Sequence, residues 1–308
     1  MTLFRTVVAT VGILSAGMGG GVRVAVAQER PAAPQPGARP EPRPTPEARA
    51  AAPRTSAKAA RARAAEAGDG CPLPAPDAPG VAAQWAGDGS LALADGRRLV
   101  VRGLILPTRL AVTEGLPAAA AAAAGPVLAG AEVRPAALHT DRHGRLVGDA
   151  LLLRPGAPPS HLAAALLAAG AGYADPAQAP GCPLAAAEAE ARQAGRGIWT
   201  LPGAKADARD VAGLSRRVGL FSLVEGRVTA AGATRDRVFL NFGERWREDF
   251  TVILAKEDFA TIFGEGLPPA RLAGRWIRVR GVVRLDGGPA ISVAKAGQLD
   301  DLPGLDER

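Results

Sequence analysis

Arginines set among aromatic residues are the part of this sequence best suited to chemistry. Phe242, Trp246 and Phe250 recur at i, i+4 spacing, with Arg245 and Arg247 between them. A ring offers a flat π-face to a base, and a guanidinium offers a permanently charged fork to a phosphate, so this stretch could hold a single-stranded nucleic acid. The same spacing also suits rings packed together in a core, and both readings stay open for Phe242 and Trp246. Arg278 and Arg280 alternate with Ile277 and Val279, which puts both guanidiniums on one face of a strand. That face is either a dock for an anionic partner or a solvated surface. Arg102 and Arg145 complete the set of candidate anion contacts.

Other reactive types are sparse. The three histidines are His139, His143 and His161. His139 and His143 are four apart, but a glycine-containing turn does not align them as a helix would, and no metal site is expected. Ser160 and His161 are adjacent, and neighbouring residues rarely face each other as nucleophile and base must. Asp141 is expected to hold its turn by accepting backbone N–H bonds. The net charge of +7 suggests a polyanion partner until it is located. Residues 1–27 carry two basic groups and no acid; residues 28–70 carry eight against five. Residues 71–215 hold twelve of each sign, and 216–308 fifteen against thirteen. The surplus therefore lies mainly outside the folded regions, which weakens the case for tight binding to a phosphate backbone.

Residues 1–27 have the layout of a cleaved secretory signal. Arg5 precedes a small-to-apolar stretch, and Ala25-Val26-Ala27 forms the cleavage site before Gln28. An uncleaved anchor is the alternative there; elsewhere no stretch approaches the roughly 20 apolar residues of a membrane span. The expected location is periplasmic or secreted. In such a compartment Cys71 and Cys182 are expected to form a disulfide worth about 2–4 kcal/mol, two free thiols being the alternative. Residues 28–70, rich in Pro, Ala and Arg, read as a disordered linker or a weak basic arm.

The elements that must position these groups begin at Cys71. Residues 84–93 and 97–106 read as strands joined by the hairpin turn Ala94-Asp95-Gly96. Residues 116–130 read as an Ala-rich helix broken near Gly125-Pro126, and 131–138 and 144–153 as two more strands. Ser160 reads as the cap of a helix running to Ala169. Residues 184–195 read as a helix with Glu188, Glu190 and Arg192 on its solvated side, closed by Gly195-Arg196-Gly197-Ile198-Trp199. Residues 201–217 read as an interdomain linker. Strand-like runs then span 221–230, 237–242, 249–254, 276–284 and 289–294, with a short helix over 258–263. Five strands with a helix between the third and fourth, over 218–303, are the plan of a small OB-type barrel. The fold class is mainly β with added α, an α+β protein.

Three stretches of residues 71–200 resemble the staphylococcal-type thermonuclease (SNase-like) family, an OB barrel with added helices. They are Leu99–Thr108, the turn Thr140-Asp141-Arg142-His143-Gly144-Arg145, and Glu188 through Trp199. Residues 218–303 resemble the second OB-like domain that follows some bacterial members. The family's reaction needs calcium held by carboxylates, a Glu beside the attacking water and two phosphate-binding Arg. The resemblance places these at Val100, Ile105, Thr108 and Gly89 or Asp88, leaving Arg145 as the one retained position. It therefore implies a degenerate nuclease, inactive and without a cofactor, that binds or scaffolds. Its partner would be nucleic acid or another anionic polymer, an envelope glycan or an envelope protein. The alternative is a divergent calcium-dependent phosphodiesterase that cleaves DNA or RNA with relocated groups.

Overall fold

Alternation between core and solvent builds the first sheet of the computed structural model, which describes residues 72–108, 115–179, 182–245 and 247–302. The signal at 1–27, the linker at 28–70, Cys71 and Trp246 lie outside the described residues. Strands Ala83–Trp85 (β1), Leu91–Leu93 (β2) and Arg98–Val101 (β3) form an antiparallel meander. Leu91, Leu93, Leu99 and Val101 all turn inward. The Ala94-Asp95-Gly96 turn closes the β2–β3 hairpin, with Gly96 at φ 89°, and Asp95 Oδ1 accepts from Arg97 N at 3.1 Å. After the short strand Leu104–Ile105 (β4), Leu116–Leu128 (α1) runs as one uninterrupted helix. The expected break at Pro126 does not occur. Pro126 lies inside the helix close to its end, so only a short stretch follows it, and Ala129 N still reaches Gly125 O at 2.9 Å.

Glu132–Thr140 (β5) and Leu146–Leu153 (β6) pair antiparallel, with a register shift between Ala136 and His139, and β6 lies parallel to β3. Ser160 does not cap a helix. Ser160–His161 (β7) instead pairs with Leu151 and Leu152 of β6, and helix Leu162–Ala168 (α2) starts directly after it. Tyr173–Ala174 (β8) pairs with β4, and Leu184–Gln193 (α3) follows. The ladders run β1-β2-β3-β6-β5 without closing a barrel; one isolated bridge joins Val81 to Val133.

Residues 201–217, expected as a linker, carry a 3-10 turn (Pro202–Ala204), the strand Ala206–Asp207 (β9) and helix Val211–Ser215 (α4), whose first turn Asp210 caps. Phe221–Arg227 (β10), Ala230–Ala233 (β11), Arg237–Asn241 (β12) and Thr251–Ala255 (β13) precede helix Lys256–Phe263 (α5). Trp276–Val282 (β14), Arg284–Asp286 (β15), Gly288–Val293 (β16) and Leu299–Asp301 (β17) complete the chain. They form two sheets, β17-β14-β10-β9 and β11-β12-β13-β16-β15. The architecture is mixed α+β, dominated by strands. No helix among the described residues is long and apolar enough to cross a membrane.

Residues 72–200 and 218–302 belong to one compact unit, and a shared apolar cluster of Leu116, Tyr173, Ile198, Ala204 and Leu223 joins them. Beside it runs a chain of charges of alternating sign. Glu188 was expected on the solvated face of α3, yet it is fully buried. Its Oε2 accepts from Arg280 Nη1 at 2.8 Å and from Ala174 N at 2.6 Å, and its Oε1 accepts from Arg192 Nη1 at 2.9 Å. Arg280, 1% exposed, also donates to Asp300 Oδ2 at 2.9 Å. Arg278 donates to Glu225 Oε1 at 2.7 Å, and Lys205 donates to Glu225 Oε2 at 2.9 Å. Arg278 and Arg280 do share a face of β14, but that face is an internal junction and not an anion dock.

Breaking a buried pair strands the remaining charge, whereas replacing both ions by apolar groups removes the desolvation cost as well. Arg280→Ala and Glu188→Ala are each expected to lower unfolding free energy by about 3–5 kcal/mol, and the double replacement Glu188→Met/Arg280→Met by much less than their sum. Urea denaturation of the four proteins checks this; single variants that lose under ~1 kcal/mol would show the pair to be solvated.

Candidate functional site

The positions that the resemblance assigns to calcium and the attacking water are brought together. Gly89 lies at φ 83°, and a Cβ built on it would stand 3.4 Å from Thr108 Cγ2. Ile105 and Thr108 line one cavity of about 390 Å³ together with Leu116, Tyr173, Arg217 and Phe221. No carboxylate is among its described lining residues. The nearest in sequence, Asp88, accepts from Ser90 N at 3.0 Å and from Ser90 Oγ, and it stands 3.8 Å from Arg98. Burial pushes the Asp88 carboxyl up, and the Ser90 bonds and Arg98 outweigh this to hold it below the usual range. Asp88 is thus committed to its own turn. Among the described residues no group of three or more His, Cys, Asp or Glu side chains is arranged to hold a metal ion.

Arg145, the retained position, braces a turn. Its Nε and Nη2 both meet Asp141 Oδ2 at 2.8 Å, while Asp141 Oδ1 accepts from His143 N and Arg145 N. The backbone bond from Arg145, with the guanidinium and His143 N, lowers the Asp141 carboxyl to about 2 against the opposing effect of burial. Arg102 stands 3.6 Å from Asp149. His161 is 6% exposed and its Nδ1 has no hydrogen-bond partner among the described residues. Burial lowers its imidazole below the usual range, against the opposing pull of Asp149. His143 Nε2 accepts from Arg142 Nε at 3.1 Å. Cys182 is disulfide-bonded, and the chain's one other cysteine, Cys71, lies outside the described residues.

The aromatic candidates part company. Phe242 is 2% exposed and packs on Phe250 with ring centroids 5.2 Å apart. It fills the core, so it cannot stack on a base. Arg245 is exposed and pairs with Glu248 at 2.9 Å; Arg247 is exposed as well. Trp246 lies outside the described residues.

A surface that the sequence reading missed lies on β12 and β13. Phe239, half-buried, lines a groove of about 420 Å³ with Thr234, Arg237, Asn241, Thr251 and Asp286. A second hollow of about 570 Å³, carrying Asp236, Asp258 and Arg284, shares Arg237, Ile253 and Asp286 with the first. The signal was present in the strand itself. Val238 and Leu240 point inward, so Arg237, Phe239 and Asn241 must point out, and an outward phenylalanine between two polar neighbours marks a surface worth attention.

No family model matches this chain, and no curated protein does either. The site therefore rests on geometry and residue chemistry.

A depressed folded-state value means that the Asp141 bonds contribute to stability above its unfolded value near ~3.9, and that this contribution is lost as pH falls toward about 2. Carboxyl-carbon NMR is expected to give Asp141 a midpoint of about 2, and Arg145→Gln to move it upward. A midpoint at the ordinary value would show the turn open in solution.

Proposed function

We propose that the chain is an exported, thermonuclease-like protein that is catalytically inactive and binds a polymer of the cell envelope. The observation that carries this reading is the apolar lining at Ile105 and Thr108, beside Gly89. The mechanism needs carboxylates there to hold calcium and to take a proton from water, and none of these three residues can do either. Arg145, bound into its turn by Asp141, supplies at most one phosphate contact.

Strand connectivity supports the OB-like reading of both halves. In the first, the β1-β2-β3-β6-β5 order with the Val81–Val133 bridge follows an OB ring of strands. In the second, β10 pairs with β14, β12 with β13, and β13 lies parallel to β16, which supports reading this half as OB-like with α5 as its helix. Such folds bind oligonucleotides and oligosaccharides on the face of their second and third strands, which here would be β12 and β13.

Charge favours the glycan. The joined hollows present Arg237 and Arg284 against Asp236, Asp258 and Asp286, whereas a groove for single-stranded nucleic acid is positively charged. Phe239 offers a flat apolar contact, and Thr234, Asn241 and Asp286 offer donors and acceptors to sugar hydroxyls.

The test uses residues 28–308 with single-stranded DNA and RNA, in calcium or in EDTA, and in parallel with a fluorescent oligosaccharide of envelope glycan. No cleavage is expected, together with glycan binding that changes little with salt and weakens about tenfold in Phe239→Ala. Calcium-dependent cleavage that Arg145→Ala abolishes would establish the phosphodiesterase alternative instead. Nucleic-acid binding that falls steeply with salt would replace the glycan as partner.

A further inference from the structure

The surface around Phe239 is uneven in its chemistry, and the strand register shows why. Directly opposed residues share a face of a sheet. Asn241, Thr251, Ala290 and Arg284 pair in turn across β12, β13, β16 and β15, so they form one row on the outer face. Gly232, Phe239, Ile253 and Ser292 form the next row. Gly232 and Ser292 are small, which leaves the Phe239 ring standing in a trough. Thr234, Asn241 and Thr251 line the same hollow and carry no charge. Arg237, Ile253 and Asp286 belong to both hollows. Beyond them the character changes. Asp236, Asp258 and Arg284 line only the second hollow, together with Ala255, Ala290 and Leu285, which is 64% exposed.

Asp236 stands 4.0 Å from Arg235. Arg237, Arg284, Asp258 and Asp286 form no side-chain ion pair among the described residues. Two guanidiniums and two carboxylates therefore face a ligand in one hollow. A neutral sugar makes no use of them, a polyanion is repelled by the carboxylates, and a polycation is repelled by the guanidiniums. A zwitterion meets both signs, and the apolar residues beside them suit short alkyl side chains. Resting on the glycan reading above, we propose that the ligand is an oligosaccharide carrying a short zwitterionic peptide. The sugar lies on Phe239 in the first hollow. The peptide lies in the second, its amine toward Asp258 and Asp286 and its carboxylates toward Arg237 and Arg284.

Calorimetric titration of residues 28–308 with three probes tests the site. They are a disaccharide of N-acetylated amino sugars, the same disaccharide bearing a tripeptide with one lysine amine and free carboxylates, and the free tripeptide. Each exposed charge contact is expected to contribute about threefold, so two give the peptide-bearing probe about a tenfold advantage over the bare sugar. That advantage is expected to shrink as salt rises. Asp258→Asn and Arg284→Gln are each expected to weaken the peptide-bearing probe about threefold and to leave the bare disaccharide unchanged, whereas Phe239→Ala weakens both. Asp258 lies in the first turn of α5, where its loss can loosen the helix; Arg284 is exposed on the edge strand β15 and gives the same test without that risk. A bare disaccharide that binds as tightly as the peptide-bearing one, or a peptide-bearing probe indifferent to Arg284→Gln, would overturn this proposal and leave the glycan reading standing. No binding of either disaccharide would overturn both. A free tripeptide that matches the peptide-bearing probe, with no effect of Phe239→Ala, would also overturn both, since the sugar would then contribute nothing.

Discussion

The buried pair of Glu188 and Arg280 is the constraint on which the arrangement of the two halves depends. Removing a carboxylate and a guanidinium from water costs several kcal/mol each even after relaxation, so the fold can hold them only if their hydrogen bonds are nearly complete. Glu188 meets this by accepting three, from Ala174 N, Arg192 and Arg280. Arg280 donates to Glu188, to Ala174 O and to Asp300, and its Nε alone is left without a partner among the described residues. These bonds are directional, which apolar contact is not. They fix α3 and β8 of the first half against β14 and β17 of the second. The apolar cluster around Tyr173, Ile198 and Leu223 supplies attraction, and the ion pairs select one orientation from the many that attraction alone would permit.

That orientation also requires the end of α3 to approach the end of α2 at backbone distance. Gly170 and Gly197 make this possible. A Cβ on Gly170 would lie 2.2 Å from Arg196 O, and one on Gly197 would lie 2.2 Å from Gly170 O; both residues have positive φ. The contact is sealed by Ile198 N donating to Gly170 O at 2.9 Å. It delivers Ile198 fully buried into the shared cluster and sets Trp199 edge-on to Tyr173, with centroids 5.5 Å apart. Arg192 then covers the outer side of Trp199 at 5.7 Å while holding Glu188. The closing Gly-Arg-Gly-Ile-Trp motif thus does more than stop a helix: it sets the wall that the second half meets.

Short-range features were legible in the sequence, and long-range ones were not. Alternating Leu and Val in β2 and β3, the Asp95-Gly96 turn, the Asp141 turn and the strand-helix-strand order of the second half follow from local sterics and hydrogen bonding, which a dozen residues contain. Glu188 misled because α3 alone gives no reason to bury it. Its partner stands 92 residues away, and an isolated helix places Glu188, Glu190 and Arg192 among ordinary surface charges. Arg278 and Arg280 misled for the mirror reason: alternation correctly put them on one face of β14, but nothing in seven residues tells an outer face from one covered by another element. Residues 201–217 look like a linker by their Pro, Gly and charge content, yet β9 adds to the edge of β10, and pairing to an edge needs little from side chains. Phe242 was ambiguous because its distance to Phe250 fits core and platform alike, and only closure of the second core resolves it.

The apolar character of the cavity at Ile105 and Thr108 goes with the cover that Leu220, Phe221 and Val282 place beside it. A calcium site needs carboxylates held close together in water, each repelling the others unless the ion is bound. Such a cluster sits poorly beside a second domain that covers it with Leu220, Phe221 and Val282, because cover removes the solvent that makes the repulsion tolerable. Ile105 and Thr108 are the residue types that such cover favours, since they turn a desolvation cost into buried area. The one charge among the described lining residues, Arg217, comes from the segment joining the halves, as does the Gly203 carbonyl that accepts from it. Docking of the second half and the residue chemistry at Ile105 and Thr108 are therefore coupled: acidic residues placed there would lie beside the apolar cover of Leu220, Phe221 and Val282 and would bear the desolvation cost that cover imposes.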